Sequence, residues 1–298
     1  VLIDVLLEMV KERGISVEFG KKFSHVVSES EESGLVEWEF TDGTRDSAAL
    51  LVGADGIHSS VRRYLYPDLE PEFTGLAGIT AAVPTSQLQL PENYHIPVTI
   101  VSAKGAFVIA PQQSDGSEVL IGKQFRTEEK TRDGWNDKKE LIKVLQSGNE
   151  LFPEIVHRAA SNIDLNSNIN VWPFYIVPEL AEWRSPKGRV VILGDAAHAV
   201  PPSAGQGINL AVEDGYMLAL LLAELNMRVD KISMRGSLKY WQEYRQARVE
   251  KIIGLNKQID LRRLPGAEEQ TREPFDLRCL YNVDIEGDVR GWVAGRGK

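Results

Sequence analysis

One stretch constrains this chain more than any other. Gly188-Arg-Val-Val-Ile-Leu-Gly-Asp-Ala-Ala-His198 continues through Pro201-Pro-Ser-Ala-Gly-Gln-Gly-Ile-Asn209. The apolar run Val190 to Leu193 predicts a buried strand that stops at Gly194-Asp195. A loop with two prolines and two glycines follows, and then an uninterrupted helix from about Gln206 to Leu225. In α/β proteins a strand that runs through a glycine-bearing loop into a helix start builds a binding site. The free N–H groups and the helix dipole both favour an electron-rich ligand oxygen there. Asp195, at the carboxyl end of the strand, is placed to accept hydrogen bonds from sugar-like hydroxyls. Gly-Asp alone would also serve as a turn and helix cap; the longer string favours the ligand.

A second element has the same design. Leu50-Leu-Val-Gly-Ala-Asp-Gly-Ile-His-Ser-Ser-Val-Arg62 is a short apolar strand ending in Gly-x-Asp-Gly, with Ser59 or Ser60 capping a helix that carries Arg62 and Arg63. The two elements stand about 140 residues apart. Together and in this order they resemble the inner fingerprints of the class A FAD-dependent monooxygenases, the p-hydroxybenzoate hydroxylase-like family of aromatic hydroxylases and epoxidases.

The resemblance implies an α/β fold. A Rossmann-like FAD-binding domain would carry an inserted mixed or antiparallel substrate sheet and long C-terminal helices. It implies that Asp55 and Gly56 lie where FAD and the nicotinamide cofactor approach one another. Arg62 would meet either the nicotinamide phosphates or a carboxylate partner. Gly194 and Asp195 would bind the ribityl chain, while Pro202, Gly205, Gly207, Ile208 and Asn209 would surround the flavin pyrimidine edge. FAD is then the cofactor and NADH or NADPH the co-substrate. O2 and a small aromatic or unsaturated molecule are the substrates, hydroxylated or epoxidised through a flavin C4a-hydroperoxide. The chemistry belongs to the flavin, and the protein must hold it, exclude water and orient the substrate.

Tyr175 is a candidate catalytic side chain, able to hydrogen-bond or deprotonate a phenol. Trp172 and Phe174 either line the pocket or pack the sheet; Phe107 and Gln124 are further pocket candidates. His198 reads as structural, hydrogen-bonded behind the loop. Glu213 and Asp214 suit the dipole at the start of the long helix without any cofactor role.

The usual opening of such a fold, Gly-x-Gly-x-x-Gly between a strand and a helix, does not occur in the chain. Val1 through Arg13 instead reads as an amphipathic helix, with Leu2, Ile3, Leu6, Leu7, Met9 and Val10 on its apolar side. The expectation is a C-terminal portion, roughly two-thirds, of a longer polypeptide, with weak FAD affinity of its own. Two other readings stay open: a truncated non-catalytic paralogue that binds FAD weakly or not at all, and an FAD-dependent oxidase. The Trp-x-Trp-x-x-Ile string of related halogenases is absent.

Composition excludes other classes. A net charge of −9 over 298 residues, without a basic stripe, argues against nucleic-acid binding. The single cysteine, Cys279, rules out an internal disulfide and fits a reducing, cytoplasmic setting. The five histidines form no metal-ligand pair, and no apolar run approaches membrane-spanning length.

The pattern divides the chain into residues 1–72 and 177–262 for the FAD-binding layer, 73–176 for the substrate sheet and 263–298 as an extended tail. Strands are expected at Ile15 to Phe19, Phe23 to Ser30, Leu35 to Thr41 and Leu50 to Asp55. Gly78 to Val83, Val98 to Ser102, Ala106 to Ala110 and Val119 to Gly122 follow as sheet strands, with helices at Trp135 to Gln146 and Phe152 to Ala160. Ile169 to Val177 is expected to return to the cofactor layer as a strand, and Gly236 to Leu261 forms a second long helix.

Overall fold

Period-two alternation broken by Gly, Pro and Asn makes strands, and apolar spacing of three and four makes helices. The computed structural model describes residues 2–227, 232–264 and 277–296. Helix α1 (Leu2–Glu12) leads to β1 (Phe23–Glu29), β2 (Val36–Phe40), β3 (Arg45–Ala48) and β4 (Leu51–Gly53), followed by the short α2 (Arg62–Leu65). Next come β5 (Glu72–Pro84), α3 (Thr85–Leu88), β6 (Val98–Ser102), β7 (Gly105–Pro111) and β8 (Glu118–Arg126). Helices α4 (Arg132–Trp135), α5 (Lys138–Gln146) and α6 (Glu154–Ser161) precede β9 (Ile169–Ile176). The chain then runs through β10 (Val190–Ile192), α7 (Asp195–His198), α8 (Gly207–Met227) and α9 (Met234–Arg263), and further on through α10 (Arg278–Tyr281) and α11 (Ile285–Arg296). Among the described residues no helix is long and apolar enough to cross a membrane.

The decisive pairing is short. β10 lies parallel to β4, with Val190 opposite Leu51 and Ile192 opposite Gly53. Parallel strands end on the same side, so the loops bearing Asp55 and Asp195 emerge side by side although 140 residues separate them. Behind them, Val190, Val191 and Ile192 pack with Trp183, Met217, Leu221, Trp241, Val249 and Ile252, all fully or almost fully buried. Trp183 and Trp241 meet edge to face at 5.4 Å. Each large apolar side chain so buried contributes about 1.5–3 kcal/mol.

The larger sheet is antiparallel, in the order β6-β7-β8-β5-β9. Its two faces have opposite fates because side chains alternate. Ile79, Phe107, Ile109 and Ile121 pack against Leu141 and Leu145 of α5 and Ile155 and Val156 of α6. Gly78, Thr80, Val108, Gly122, Gln124, Trp172 and Phe174 border a cavity instead.

Four expectations need correction. Residues 15–19 form no strand: Ile15, Val17 and Phe19 are exposed, and β2 pairs with β1 on one side and the polar β3 on the other. Alternation without a neighbour to pair with makes no sheet, whereas Arg45-Asp-Ser-Ala48 pairs despite its polarity because the turn at Asp42-Gly43 returns it alongside β2. Residues 169–177 do not rejoin the cofactor layer as a strand, for β9 pairs with β5 across Ala77–Pro173 and Gly78–Trp172. The helix predicted at Ser59 to Tyr64 is regular only from Arg62 to Leu65.

Of the tail expected to be extended or partly ordered, residues 265–276 lie outside the described residues, and Ile285–Arg296 is the helix α11. Ile285, Val289 and Val293 bury its inner face at four-residue spacing, and Trp292 stacks on Tyr240 at 4.6 Å. Gly287, Gly291 and Gly295 lower the local propensity and hid this helix from the sequence. Cys279, the lone cysteine, lies within α10.

Close packing makes Gly53 testable. A Cβ there would stand 2.6 Å from Val61 Cβ, a β-branched side chain that cannot swing away. Gly53→Ala is expected to destabilise the chain by about 1–3 kcal/mol, read as a lower urea midpoint at an unchanged slope.

Candidate functional site

The end of β10 sets the first part of the site. Gly194 adopts φ 58°, ψ −143°, a conformation that favours glycine, and a Cβ there would press to 3.0 Å on Ala211 Cβ. This turn makes Asp195 the first residue of α7 and leaves its side chain exposed. Among the described residues the Asp195 carboxylate has no hydrogen-bond partner. An acceptor-only group held this way on a rigid strand end suits the hydroxyls of a sugar-like chain.

What holds the turn is buried. Asp214, fully buried on α8, accepts from the Gly194 N–H (2.9 Å) and pairs with His198 Nε2 (2.6 Å) through one oxygen. Its other oxygen takes Arg245 Nε at 2.7 Å. Arg245 also pairs with Glu213 (2.7 Å), and Glu213 with Arg248 (3.0 Å). Burial alone would raise the Asp214 carboxyl, but hydrogen bonding to His198 and the His198 and Arg245 charges outweigh it and hold it below the usual range. His198 lies against Trp183 at 4.8 Å, behind the loop as expected. Asp214 exceeds its expected part: it is the buried anchor of the Gly194-Asp195 turn, rather than a group whose charge merely suits the dipole.

The loop after α7 supplies donors. Residues 202–204 form a single 3-10 turn, Gly205 takes φ 64°, and α8 begins at Gly207. The first hydrogen bond into the new helix is Leu210 N–H to Gln206 O (2.9 Å), so the N–H groups of Gly207, Ile208 and Asn209 have no acceptor among the described residues. A Cβ on Gly205 or Gly207 would meet nothing within 4 Å, and Ile208 is 68% exposed. Open space before three unpaired donors at a helix N-terminus fits the electron-rich edge of a flavin, with Pro202 and Asn209 flanking it.

The second loop is built differently from expectation. Gly56 has φ 78° with open space beside it, as a site for close approach requires. The Asp55 carboxylate, however, accepts from the Ser59 hydroxyl and from the N–H groups of Ser60 (2.7 Å) and Val61 (3.1 Å). Ser59 in turn accepts from Arg62 N–H at 2.8 Å. Asp55 therefore shapes the turn.

Arg62 is placed against its expected role. It is 2% exposed, and its guanidinium donates to the carbonyls of Ala196 (2.9 Å) and Ile57 (2.6 Å). Burial pushes its pKa down. Among the described residues it bonds no carboxylate and instead clamps the two loops together, an outcome decided by tertiary proximity alone.

A cavity of about 190 Å³ lies between the large sheet and the Pro202-Ser203 turn, lined also by Arg263. Trp172, Phe174 and Gln124 reach it. Tyr175 does not, because the pleat turns it to the other face of β9. There it lies 5.5 Å from Phe73 and donates to Glu129 at 2.7 Å. Burial and Glu129 push its hydroxyl up to about 12, which ill suits a base near neutrality. Phe107 likewise packs toward the helices. Thr80 and Arg263 line the cavity unforeseen, and Asp260 binds two of its lining residues. Asp260 accepts from Gln124 Nε2 (2.7 Å) and from the Ser203 hydroxyl, tying β8, the cofactor loop and α9 together. Asp260 and Arg263 read in sequence as ordinary charges near a helix end; only the course of α9 brings them here.

Two variants test this construction. Asp214→Asn should cost about 3–5 kcal/mol, as loss of one partner in a buried charge network does. Because the native pKa is depressed, the wild-type contribution is fully present above about pH 5 and is lost as pH falls below about 4. Urea titrations should therefore show the gap between wild type and variant narrowing toward acid. Arg62→Leu strands two carbonyls and should cost about 2–4 kcal/mol; a thermal midpoint equal to wild type would contradict the clamp.

Comparison with known proteins agrees with this geometry. The family model described as "FAD binding domain" matches residues 2–253. Hispidin-3-hydroxylase of Neonothopanus nambi is 28% identical over 84% of this chain and 62% of its own length. Zeaxanthin epoxidase of Oryza sativa subsp. japonica is 29% identical over 84% of the chain and 37% of its own length. The chain thus spans less than two-thirds of either relative. The crystal structure of Klebsiella pneumoniae HpxO complexed with FAD and uric acid superposes with a TM-score of 0.69 at 21% identity, over 99% of this chain and 71% of the other, and shares its fold. With the family model matched along most of its length, the chain belongs to the class A FAD-dependent monooxygenase family.

Proposed function

We propose that this chain carries the flavin-edge and substrate halves of an FAD-dependent monooxygenase. It would use NADH or NADPH and O2 to hydroxylate or epoxidise a small aromatic or unsaturated molecule. Residues 1–72 and 177–262 serve the cofactor, and 73–176 the substrate. One observation carries the reading: among the described residues the Asp195 carboxylate and the N–H groups of Gly207, Ile208 and Asn209 have no partners, and Pro202 and Ser203 of the loop between them line a largely apolar cavity.

A bound flavin would supply the redox chemistry, drawing two electrons from NADH or NADPH so that one atom of O2 goes to the substrate and the other to water. The residues do the rest. Asp195 holds ribityl hydroxyls. The N–H groups of Gly207, Ile208 and Asn209 favour negative charge at the pyrimidine edge. Pro201 and Pro202 limit the freedom of the loop. Trp172, Phe174, Val108 and Leu120 exclude water from the reacting face. The names of the relatives, a hydroxylase and an epoxidase, fit this chemistry.

The test begins with the absorption spectrum of the purified protein mixed with FAD. A perturbed, protein-bound flavin spectrum is expected, followed by NAD(P)H consumption that rises with an aromatic substrate. Asp195→Ala should weaken FAD binding about tenfold or more, the worth of a charged hydrogen bond, without changing the fold by circular dichroism. Flavin that remains free at saturating protein would sink the proposal.

A further inference from the structure

A lysine drawn out of water ordinarily pairs with a carboxylate; Lys123 does not. It lies on β8 between Gly122 and Gln124, and the pleat turns its side chain away from the cavity, toward the helices. There it is half-buried, with Nζ 5.8 Å from the centres of the Phe107 and Phe152 rings. Both rings are buried. The amine donates to Ser147 O at 2.6 Å and to the side-chain oxygen of Asn149. Asn149 is 6% exposed, and its Nδ2 donates to Leu145 O at 3.2 Å. These bonds fasten the turn between α5 and α6 to the sheet.

Among the described residues both partners of the amine are neutral carbonyl oxygens, and no carboxylate is paired with it. Glu150, exposed on the same turn, acts on it only through space. Burial outweighs that attraction and pushes the Lys123 pKa down to about 8. An ammonium has three donors, and here two are used. The neutral amine satisfies the same two carbonyls with its two N–H bonds and keeps its lone pair free. Loss of the proton therefore breaks no hydrogen bond. The arrangement suits a nucleophile better than a salt-bridge cation.

We infer that Lys123 is a covalent-modification site that takes small aldehydes. The Nζ lone pair forms a bond to the carbonyl carbon, whose π electrons pass to the oxygen. That oxygen and the two amine hydrogens then leave as water, and an imine remains; nothing is oxidised or reduced. Protonated from solvent, the imine keeps a positive charge beside the two phenylalanine rings and one N–H for a carbonyl. Acylation would remove the charge, so an aldehyde fits these surroundings better than an acyl donor. Phe107 and Phe152 flank the amine and restrict the aldehyde to a small one. The adduct frees one of the two carbonyls from a strand whose other face borders the cavity through Gly122 and Gln124. The site is apart from both cofactor loops, and the inference does not depend on the monooxygenase reading.

The probe is acetaldehyde, with cyanoborohydride present to trap the imine as an ethylated amine. Peptide mass spectrometry after Glu-C digestion compares Lys123 with Lys239, which is 68% exposed on α9. At about pH 7.5 Lys123 should be labelled at least about tenfold faster. Its neutral fraction is on the order of a hundredfold larger than that of an ordinary lysine, and the weaker nucleophilicity of a less basic nitrogen offsets part of the gain. Labelling of Lys123 should level off once the pH passes its pKa of about 8. In guanidinium chloride above the unfolding midpoint the preference should vanish, because the fold creates it. A parallel series with phenyl acetate, an acyl donor, should give a smaller preference for Lys123. Labelling of Lys123 no faster than Lys239, no labelling of it at all, or a preference that persists in the denaturant overturns the inference. A larger preference with phenyl acetate than with acetaldehyde overturns the assignment to aldehydes.

Discussion

Asp214 is the constraint on which the site depends. Its carboxylate is fully buried, a costly position unless every lone pair is used. Here one oxygen binds the Gly194 N–H and His198, and the other binds Arg245. The consequence reaches the surface. Gly194 is held in a strained turn, the turn aims Asp195 outward, and α8 is tied by Arg245 to α9. An exposed acceptor with no partner of its own can then be rigid, because the side chain that fixes it lies in the interior.

Arg62 and Asp260 solve the corresponding problem for the other boundaries. Arg62 clamps the turn after β4 to the turn after β10 through two main-chain carbonyls. Asp260 joins the large sheet to the cofactor loop by accepting from Gln124 and Ser203. Each of the three is a charged side chain that fixes the spacing between neighbouring elements of the site. The cavity and the open helix N-terminus therefore stand in a defined relation.

The strand–loop–helix elements were legible in the sequence because they are local. Val190 to Leu193, Gly194-Asp195 and the helix after Gln206 lie within one short segment, and the backbone chemistry of Gly and Pro marks them. The strands of the large sheet were legible for the same reason, through their alternation. Residues 15–19 had the alternation but no partner, and Arg45–Ala48 had a partner but no alternation. Pairing is a property of two segments, so neither could be read from one.

Side-chain roles divided along the same line. That Asp195 stands exposed at the strand end and that His198 is a buried support followed from the string around them. Whether Trp172 or Tyr175 faced the cavity depended on which face of β9 met the helices, and the pleat then decided both at once. The sequence by itself determined the family, the two loops and the donors at the start of α8, because those depend on residues adjacent in the chain. Only the tertiary structure decided that Arg62 is a clamp, that Asp214 is an anchor, that Asp260 ties Gln124 to Ser203 and that Arg263 borders the cavity. Each of these roles is a contact between segments distant in sequence, and its energy exists only once folding has excluded water from between them.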